Sequence, residues 1–383
     1  MGLDGANRTV VLSSRVQLLT LCWLPDSRIV YVRQESEISD DANLWQIRVD
    51  HTGKPLGQPM RMTQWAGSLW AWMSATADAK RLVFQKSVMH GQIYVGELLA
   101  GGTRLNPPRR LTNTEADDWG RAWTADSKAV IFTSDRNGKR GIFRQELDRE
   151  TAEPIIAGSV QTGYSSAVTP DGAWLLYTEI PEGAPTANRR LMRVPINGGA
   201  PQLVLETNNF WDIRCARAPA TNCVLSERTD DGKQVTLTAL DPLKGRGKLL
   251  RTLPKAVALY DDDLSPDGAS YEFTMLPTRQ IHLVSLPGGA DRDIAVKGWP
   301  FPIGNLGFSG NLGFSFDGKG FYCGTTSPKG DGVLLYVDLA GNARPLWEYK
   351  GGDVISGLAS PNGRYLAIQV RNSSNNVWML EGF

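Results

Sequence analysis

The stretch Arg121–Gly138, RAWTADSKAVIFTSDRNG, joins a short polar turn to a strand-like run. The turn is Thr124-Ala125-Asp126-Ser127, and Val130–Phe132 follows it with the β-branched and aromatic side chains that are typical of a half-buried strand. Aspartate suits a tight turn because its side chain can accept hydrogen bonds from the local backbone. The stretch therefore predicts a β-hairpin.

The same turn recurs along the whole chain at intervals of 45 to 52 residues. Taking the aspartate or its equivalent as the anchor, the turns lie at positions 26, 78, 126, 171, 220, 267, 317 and 362. The copy at 218–221, Ala-Pro-Ala-Thr, is degenerate. We assign a structural role, turn formation, to Asp26, Asp78, Asp126, Asp171, Asp267 and Asp317, because a catalytic group would occupy one or two units and not nearly all of them.

Each unit has the length and strand content of a four-stranded antiparallel sheet, and such units repeated four to eight times are typical of a β-propeller. Eight units of about 48 residues account for all 383 residues, so the sequence predicts one all-β, eight-bladed propeller over residues 1–383. The eighth unit ends without a fourth strand, whereas residues 9–13 form an unassigned β-prone run. We therefore expect residues 9–13 to pair beside Val377–Leu380 and close the ring, which would remove an open sheet edge.

Charge and composition narrow the function classes. The 41 Lys and Arg residues nearly balance the 40 Asp and Glu residues, which argues against nucleic-acid binding. The sequence shows no signal peptide and no apolar run long enough for a transmembrane segment, so we expect a soluble protein. We also expect it to be a monomer. Only three His residues are present and they have no metal-ligand spacing, so no metal and no cofactor are expected.

Several stretches carry a resemblance to known proteins. Arg121–Gly138 and Pro195–Leu203 resemble the repeat of TolB-like, WD-repeat-like propellers. Arg214–Glu227, Leu240–Gly247 and Asn376–Phe383 are similar to the C-terminal propeller of bacterial sensor serine/threonine kinases and winged-helix regulators. The resemblance implies a propeller that senses a signal or binds a protein. It implies an extracytoplasmic location if the chain is a fragment of a membrane sensor, and a cytoplasmic location otherwise. No kinase motif can be read here, so kinase activity is not carried over.

Two local features are candidate sites. Cys215 and Cys223 flank the degenerate turn, where a hairpin could bring them together as a disulfide or leave them as two buried thiols. Aromatic and acidic residues fall near the start of the innermost strands, where they could form a rim at the mouth of the central channel. The rim residues are Trp70, Asp117, Asp118, Trp119, Tyr164, Trp211, Asp212, Tyr260, Asp261 and Asp262, with Asp263 and Asp353 beside them. Such a rim would suit a cationic ligand or a basic peptide, whereas the alternative is that these residues pack between blades and cap turns.

These observations favour a non-catalytic propeller that serves as a sensing or protein-interaction module. Its expected partner is a protein or peptide, and a small-molecule ligand is a second option. The alternative is a hydrolase or lyase acting on a peptide or carbohydrate in the central channel. No Gly-x-Ser-x-Gly elbow, metalloprotease motif or Ser-His-Asp arrangement supports that alternative.

Overall fold

Short runs of β-branched and aromatic residues form nearly all of the regular structure. A computed structural model describes residues 9–14, 16, 18–35, 42–65, 69–138, 140–157, 161–181, 189–254, 261–274, 279–286, 288–303 and 312–383. Helix within these ranges is confined to one 3-10 turn, Ala100–Gly102, and none of it approaches the length and apolarity of a membrane span. The chain divides into two compact units, Met1–Met89 with Ser373–Phe383 and His90–Asn372, called unit 1 and unit 2 below.

Unit 1 contains one four-stranded sheet and a second group of strands. The strands that begin in unit 1 are β1 (Leu18–Trp23), β2 (Arg28–Gln34), β3 (Ala42–Arg48), β4 (Met60–Arg61), β5 (Leu69–Ala75) and β6 (Arg81–Leu99). The sheet has the order β1-β2-β3-β4, and β5 pairs separately with the first half of β6. Val30, Val32, Leu44, Leu82 and Phe84 form the core of this unit.

The remaining strands begin in unit 2. They are β7 (Arg104–Leu105), β8 (Arg109–Arg110), β9 (Trp119–Trp123), β10 (Ala129–Ser134), β11 (Gly141–Glu146), β12 (Glu153–Ile156), β13 (Gln161–Val168), β14 (Trp174–Ile180), β15 (Arg189–Pro195), β16 (Gln202–Thr207), β17 (Phe210–Cys215), β18 (Cys223–Arg228), β19 (Gln234–Asp241), β20 (Gly245–Pro254), β21 (Asp261–Leu264), β22 (Ser270–Thr274), β23 (Gln280–Ser285), β24 (Arg292–Ala295), β25 (Leu312–Phe314), β26 (Gly320–Thr326), β27 (Gly332–Asp338), β28 (Ala343–Tyr349), β29 (Asp353–Ala359) and β30 (Tyr365–Glu381).

Six antiparallel sheets of unit 2 form a closed ring. Five follow the chain directly and are numbered I to V: β9–β12, β13–β16, β17–β20, β21–β24 and β25–β28. Sheet VI combines β29 and the first half of β30 with the second half of β6 and with β8. The innermost strands are neighbours in the cyclic order β9, β13, β17, β21, β25, β29, and β29 in turn contacts β9. Sheet III therefore lies across the ring from sheet VI.

Two predictions are not confirmed. The ring of unit 2 closes with six sheets, so eight blades around one ring are not confirmed. Closure by residues 9–13 is not confirmed either, because these residues lie outside any strand. Val377–Leu380 belongs to the second half of β30, whose neighbour is β6, as bonds from Ser87 to Asn375 and from Arg81 to Glu381 show. The number of repeated turns predicts the number of hairpins. It does not predict which sheets are neighbours in space.

The repeated turns share one hydrogen-bond pattern. A Thr or Ser hydroxyl two residues before the anchor donates to the anchor side chain, which also accepts the backbone N–H two residues after it. This pattern occurs at Asp78, Asp126, Asp171, Asp267, Asp317 and Asn362. Asp26 accepts only from Arg28. The residue after the anchor has a positive φ, 71° at Gly172 and 62° at Ser127, which explains why small residues recur there.

We expect Asp171→Ala to lower the free energy of unfolding by about 1 kcal/mol at pH 7, because it removes both turn hydrogen bonds. The bond from Thr169 holds the pKa of Asp171 below its usual value. A carboxylate with a lowered folded pKa contributes stability above its unfolded pKa and loses that contribution as the pH falls through the folded pKa. Urea unfolding at pH 7 and pH 3 should therefore show a smaller deficit at pH 3.

Asp171→Asn is the matched control for that prediction, because Asn362 already fills the same role in the last repeat. We expect the Asn variant to keep most of the stability that the Ala variant loses. Its free energy of unfolding should depend little on pH through this turn. Equal deficits for the Ala variant at both pH values would contradict the assigned role of the carboxylate.

Candidate functional site

The ring of unit 2 encloses a central cavity of about 420 Å³. Its wall is made by the six innermost strands and by the turns that follow some of them, including Thr169-Pro170 and Pro361-Asn362. Charged groups in the described wall are three arginines and two aspartates, Arg121, Arg214, Arg217, Asp262 and Asp263. A cavity of this volume can hold a small ligand or a few residues of a peptide.

Arg214 is the centre of a cluster that joins sheets III and IV. Its Nη2 atom lies 2.7 Å from Asp212 Oδ2 and 3.2 Å from Asp262 Oδ1, and its Nε atom donates to the Asp262 carbonyl at 2.9 Å. Asp263 Oδ1 lies 3.9 Å from Nε. The Tyr271 hydroxyl donates to the other carboxylate oxygen of Asp262. One guanidinium thus serves three carboxylates.

The ionisation of this cluster follows from burial and from the excess of carboxylates over guanidinium groups. Burial raises the pKa of Asp262 to about 7, although Arg214 acts in the opposite direction. Burial also raises the pKa of Asp263, against the effects of Arg214 and of the Phe314 amide. Burial alone would lower the pKa of Arg214, but the three carboxylates together raise it. Burial and the neighbouring carboxylates therefore favour the protonated form of Asp262, whereas the carboxylates favour the charged form of Arg214.

Arg217 follows Arg214 by three residues and has a different environment. Its Nη2 atom donates to the Ala359 carbonyl at 3.1 Å, and its backbone N–H donates to the Pro266 carbonyl at 2.9 Å. Ala359 ends the innermost strand of sheet VI, so the Arg217 side chain extends across the cavity. Burial lowers the pKa of Arg217, with a partial opposing effect of Asp263.

The start of β9 carries a second set of ion pairs. Asp117 accepts from the Gly91 amide and from Trp119 Nε1, both at 2.7 Å, and lies 3.7 Å from Arg140. Burial raises its pKa against these hydrogen bonds. Asp118 is buried and pairs with Arg136 at 2.9 Å. Both carboxylates therefore meet an arginine and contribute little free negative charge.

Gln369 links sheet VI to sheet I at this point, since it accepts from the Gly120 amide and donates to the Asp118 carbonyl. Together these contacts fix the wall of the cavity on the sheet I side.

The carboxylates among the described rim residues fall into two separate groups. Asp212 and Asp262 meet at Arg214, whereas Asp117, Asp118 and Trp119 lie together at the start of β9. Trp211 lies under the Arg228 guanidinium, which is 4.1 Å from its ring centre. Tyr260 and the side chains of Trp70, Tyr164 and Asp261 lie outside what the structure describes. Since the described carboxylates meet arginines, the electrostatic argument for a cationic ligand is weakened; the rim itself stays a prediction.

Cys215 and Cys223 face each other across β17 and β18, with their Cα atoms 4.0 Å apart, and form a disulfide. Cys215 is part of the cavity wall between Arg214 and Arg217. Cys22 and Cys323 are not disulfide-bonded. Among the described residues, no group of three His, Cys, Asp or Glu side chains is arranged to hold a metal ion.

Sequence reasoning missed the arginines. The pattern that predicts the rim consists of aromatic and acidic residues, so it does not include Arg121, Arg214 or Arg217. One signal was available: Arg214 and Arg217 immediately precede the turn at 218–221, the copy in which the anchor aspartate is absent.

The sheets and their ring define an all-β protein of the propeller class. The TolB beta propeller domain family matches residues 1–256, and the chain belongs to this family. A 6-deoxy-6-sulfogluconolactonase from Pseudomonas putida is 27% identical over 181 residues, which are 46% of this chain and 57% of that protein. The chain thus matches little more than half the length of this relative.

Several solved structures are similar to this chain. A putative TolB from Agrobacterium tumefaciens has 17% identity and a TM-score of 0.48, covering 73% of this chain and 98% of that one. TolB from Acinetobacter baumannii has 13% identity and a TM-score of 0.47, covering 93% and 81%. Oligogalacturonate lyase from Vibrio parahaemolyticus has 13% identity and a TM-score of 0.45, covering 77% and 76%.

Proposed function

We propose that this protein is a non-catalytic binding module that takes a segment of a partner protein into the central cavity of unit 2. The observation that carries the proposal is the cavity itself, about 420 Å³ in volume and lined by charged side chains from several sheets. A recess with a few fixed polar groups is the usual form of a site that recognises a ligand by shape and charge. A sensing role within a signalling protein is part of the same proposal.

The chemistry of the wall supports binding over catalysis. Its described residues include no histidine, lysine or glutamate. Asp262, a wall residue whose pKa is raised to about 7, is engaged by Arg214 and Tyr271 and has a side chain only 4% exposed. A general base must reach the proton that it removes, and a nucleophile needs such a base beside it. The hydrolase or lyase alternative therefore has less support.

The disulfide supports one further part of the proposal, the compartment. Disulfides persist in oxidising surroundings and are rare where thiols are kept reduced. The Cys215–Cys223 bond thus favours an extracytoplasmic location.

Blocking the cavity should abolish partner binding. Ala218 is an exposed wall residue on a turn, so Ala218→Trp adds a large side chain there without filling a packed core. Peptides selected on the wild-type protein from a displayed random 12-residue library should bind the variant at least tenfold more weakly, as measured by calorimetry. Steric exclusion from a recess removes the contacts that confine the ligand.

Ala340→Trp is the control, because Ala340 is an exposed turn residue of the same unit outside the cavity wall. Its affinity for the selected peptides should equal that of the wild type. Peptides that bind Ala218→Trp as tightly as the wild type would show that partners dock elsewhere and would overturn the proposal.

A further inference from the structure

The Arg217 guanidinium of the cavity wall has no anionic partner among the described residues. Its hydrogen-bonded acceptor is a neutral carbonyl, that of Ala359, and none of the described carboxylates lies within 4 Å of its nitrogens. Its Nη1 atom is buried and has no hydrogen-bond partner among the residues that the structure describes. Buried guanidinium groups are normally paired with an anion, because an unpaired buried charge is costly.

The contrast with Arg214 shows what Arg217 lacks. Arg214 has two carboxylates within 3.2 Å and a third at 3.9 Å. Both arginines line the same cavity and lie three residues apart in the chain. The unmet charge therefore distinguishes Arg217 from Arg214.

The charge of the wall has the same sign. Three arginines outnumber two aspartates in its described part, so the formal charge of the wall is positive. A positive recess with a guanidinium that has no anionic partner fits an oxyanion, because charge-assisted hydrogen bonds from Arg to carboxylate oxygens are strong. This sign is opposite to the cationic ligand that the sequence suggested.

We propose that Arg217 anchors an oxyanion subsite in the central cavity and that its ligand is a carboxylate of the bound partner peptide. The inference rests on the proposed binding function and specifies its chemistry. In the complex, Nη1 donates to the carboxylate while Nη2 keeps its bond to the Ala359 carbonyl. A free organic acid carries the same chemical group and is the alternative source.

Wild-type protein alone gives the first test, by calorimetry with three probes. Acetyl-triglycine has a free carboxylate, its carboxamide lacks that charge, and gluconate is a free organic acid. We expect acetyl-triglycine to bind at least tenfold more tightly than the carboxamide, with an affinity that falls as salt is raised. Equal affinities for the carboxylate and the carboxamide would overturn the inference. Binding of gluconate alone would retain the oxyanion subsite but overturn the peptide as its source.

Variants then assign the effect to Arg217. Arg217→Gln should weaken acetyl-triglycine binding by about tenfold to a hundredfold. Arg217→Lys keeps the charge but loses the planar guanidinium, so its affinity should lie between those of the wild type and Arg217→Gln. Arg364→Gln is the control, because Arg364 is exposed and pairs with Glu97. Unchanged binding in Arg217→Gln would refute the subsite. If Arg217→Gln binds normally but the library peptides bind Ala218→Trp more weakly than the wild type, the proposed function stands without the oxyanion subsite.

Discussion

Arg214→Ala is expected to lower the free energy of unfolding by about 3–5 kcal/mol at pH 8, which is the usual cost of removing one partner from a buried ion pair. The substitution leaves Asp262, with a side chain only 4% exposed, and Asp212 without their cation. It also removes the bond that ties β17 to the Asp262 carbonyl of β21. Urea unfolding followed by near-ultraviolet circular dichroism measures the loss.

The pH dependence tests the mechanism of that loss. The pKa of Asp262 is raised to about 7, so its folded form binds protons more tightly than the unfolded chain does. Such a group contributes most to stability below its unfolded pKa, and the contribution is lost as the pH rises through the folded pKa. Without Arg214 the proton is held more tightly still, so the deficit of the variant should shrink between pH 8 and pH 5.

Arg364→Ala supplies the comparison for this prediction. It breaks an exposed pair with Glu97, whose side chains are 62% and 39% accessible, and should cost less than about 1 kcal/mol. Similar losses in Arg214→Ala and Arg364→Ala, or a deficit for Arg214→Ala that does not change with pH, would contradict the assigned cluster.

Phe321→Ala should produce a loss of similar size, about 3–5 kcal/mol, by leaving a cavity in the core between sheets IV and V. Phe321 has no exposed surface and packs with Ile281 of sheet IV and Val333 of sheet V. Its ring centre lies 4.9 Å from that of Phe314. The substitution removes both the buried apolar area and the ring contact. The surrounding strands cannot collapse fully into the cavity, because sheet hydrogen bonds hold them in place.

Phe321→Leu keeps most of the volume and should cost no more than about 1.5 kcal/mol. Leu243→Ala, at a side chain that is 61% exposed, should change the free energy of unfolding by no more than about 0.5 kcal/mol. A loss for Phe321→Ala as small as that for Leu243→Ala would show that this core is not packed as described.

Local structure could be predicted from the sequence because it depends on short-range chemistry. The turn at Asp126 needs a hydroxyl two residues earlier and a small residue next to it, and both are visible in Thr124 and Ser127. The ring could not be predicted in the same way. Its closure depends on the second half of β6 and the first half of β30, which are far apart in the chain and carry no mark of their partnership.

The candidate site was predicted only in part for a related reason. Aspartates such as Asp262 could be placed near the channel from their spacing, but spacing does not show what neutralises them. That information comes from the packing of neighbouring sheets, which brings Arg214 from β17 to Asp262 on β21. The sign of the charge left in the cavity is therefore a property of the tertiary structure.

Sheet VI is built from two widely separated parts of the chain, and this has a consequence for synthesis on the ribosome. The strand portion 90–99 is made early, but its partner at 365–372 emerges only after the other five sheets are complete. Until then one edge of the early strand has no partner, and such edges invite pairing with other chains. The nascent protein should thus depend most on chaperones until residues 365–372 have emerged from the exit tunnel.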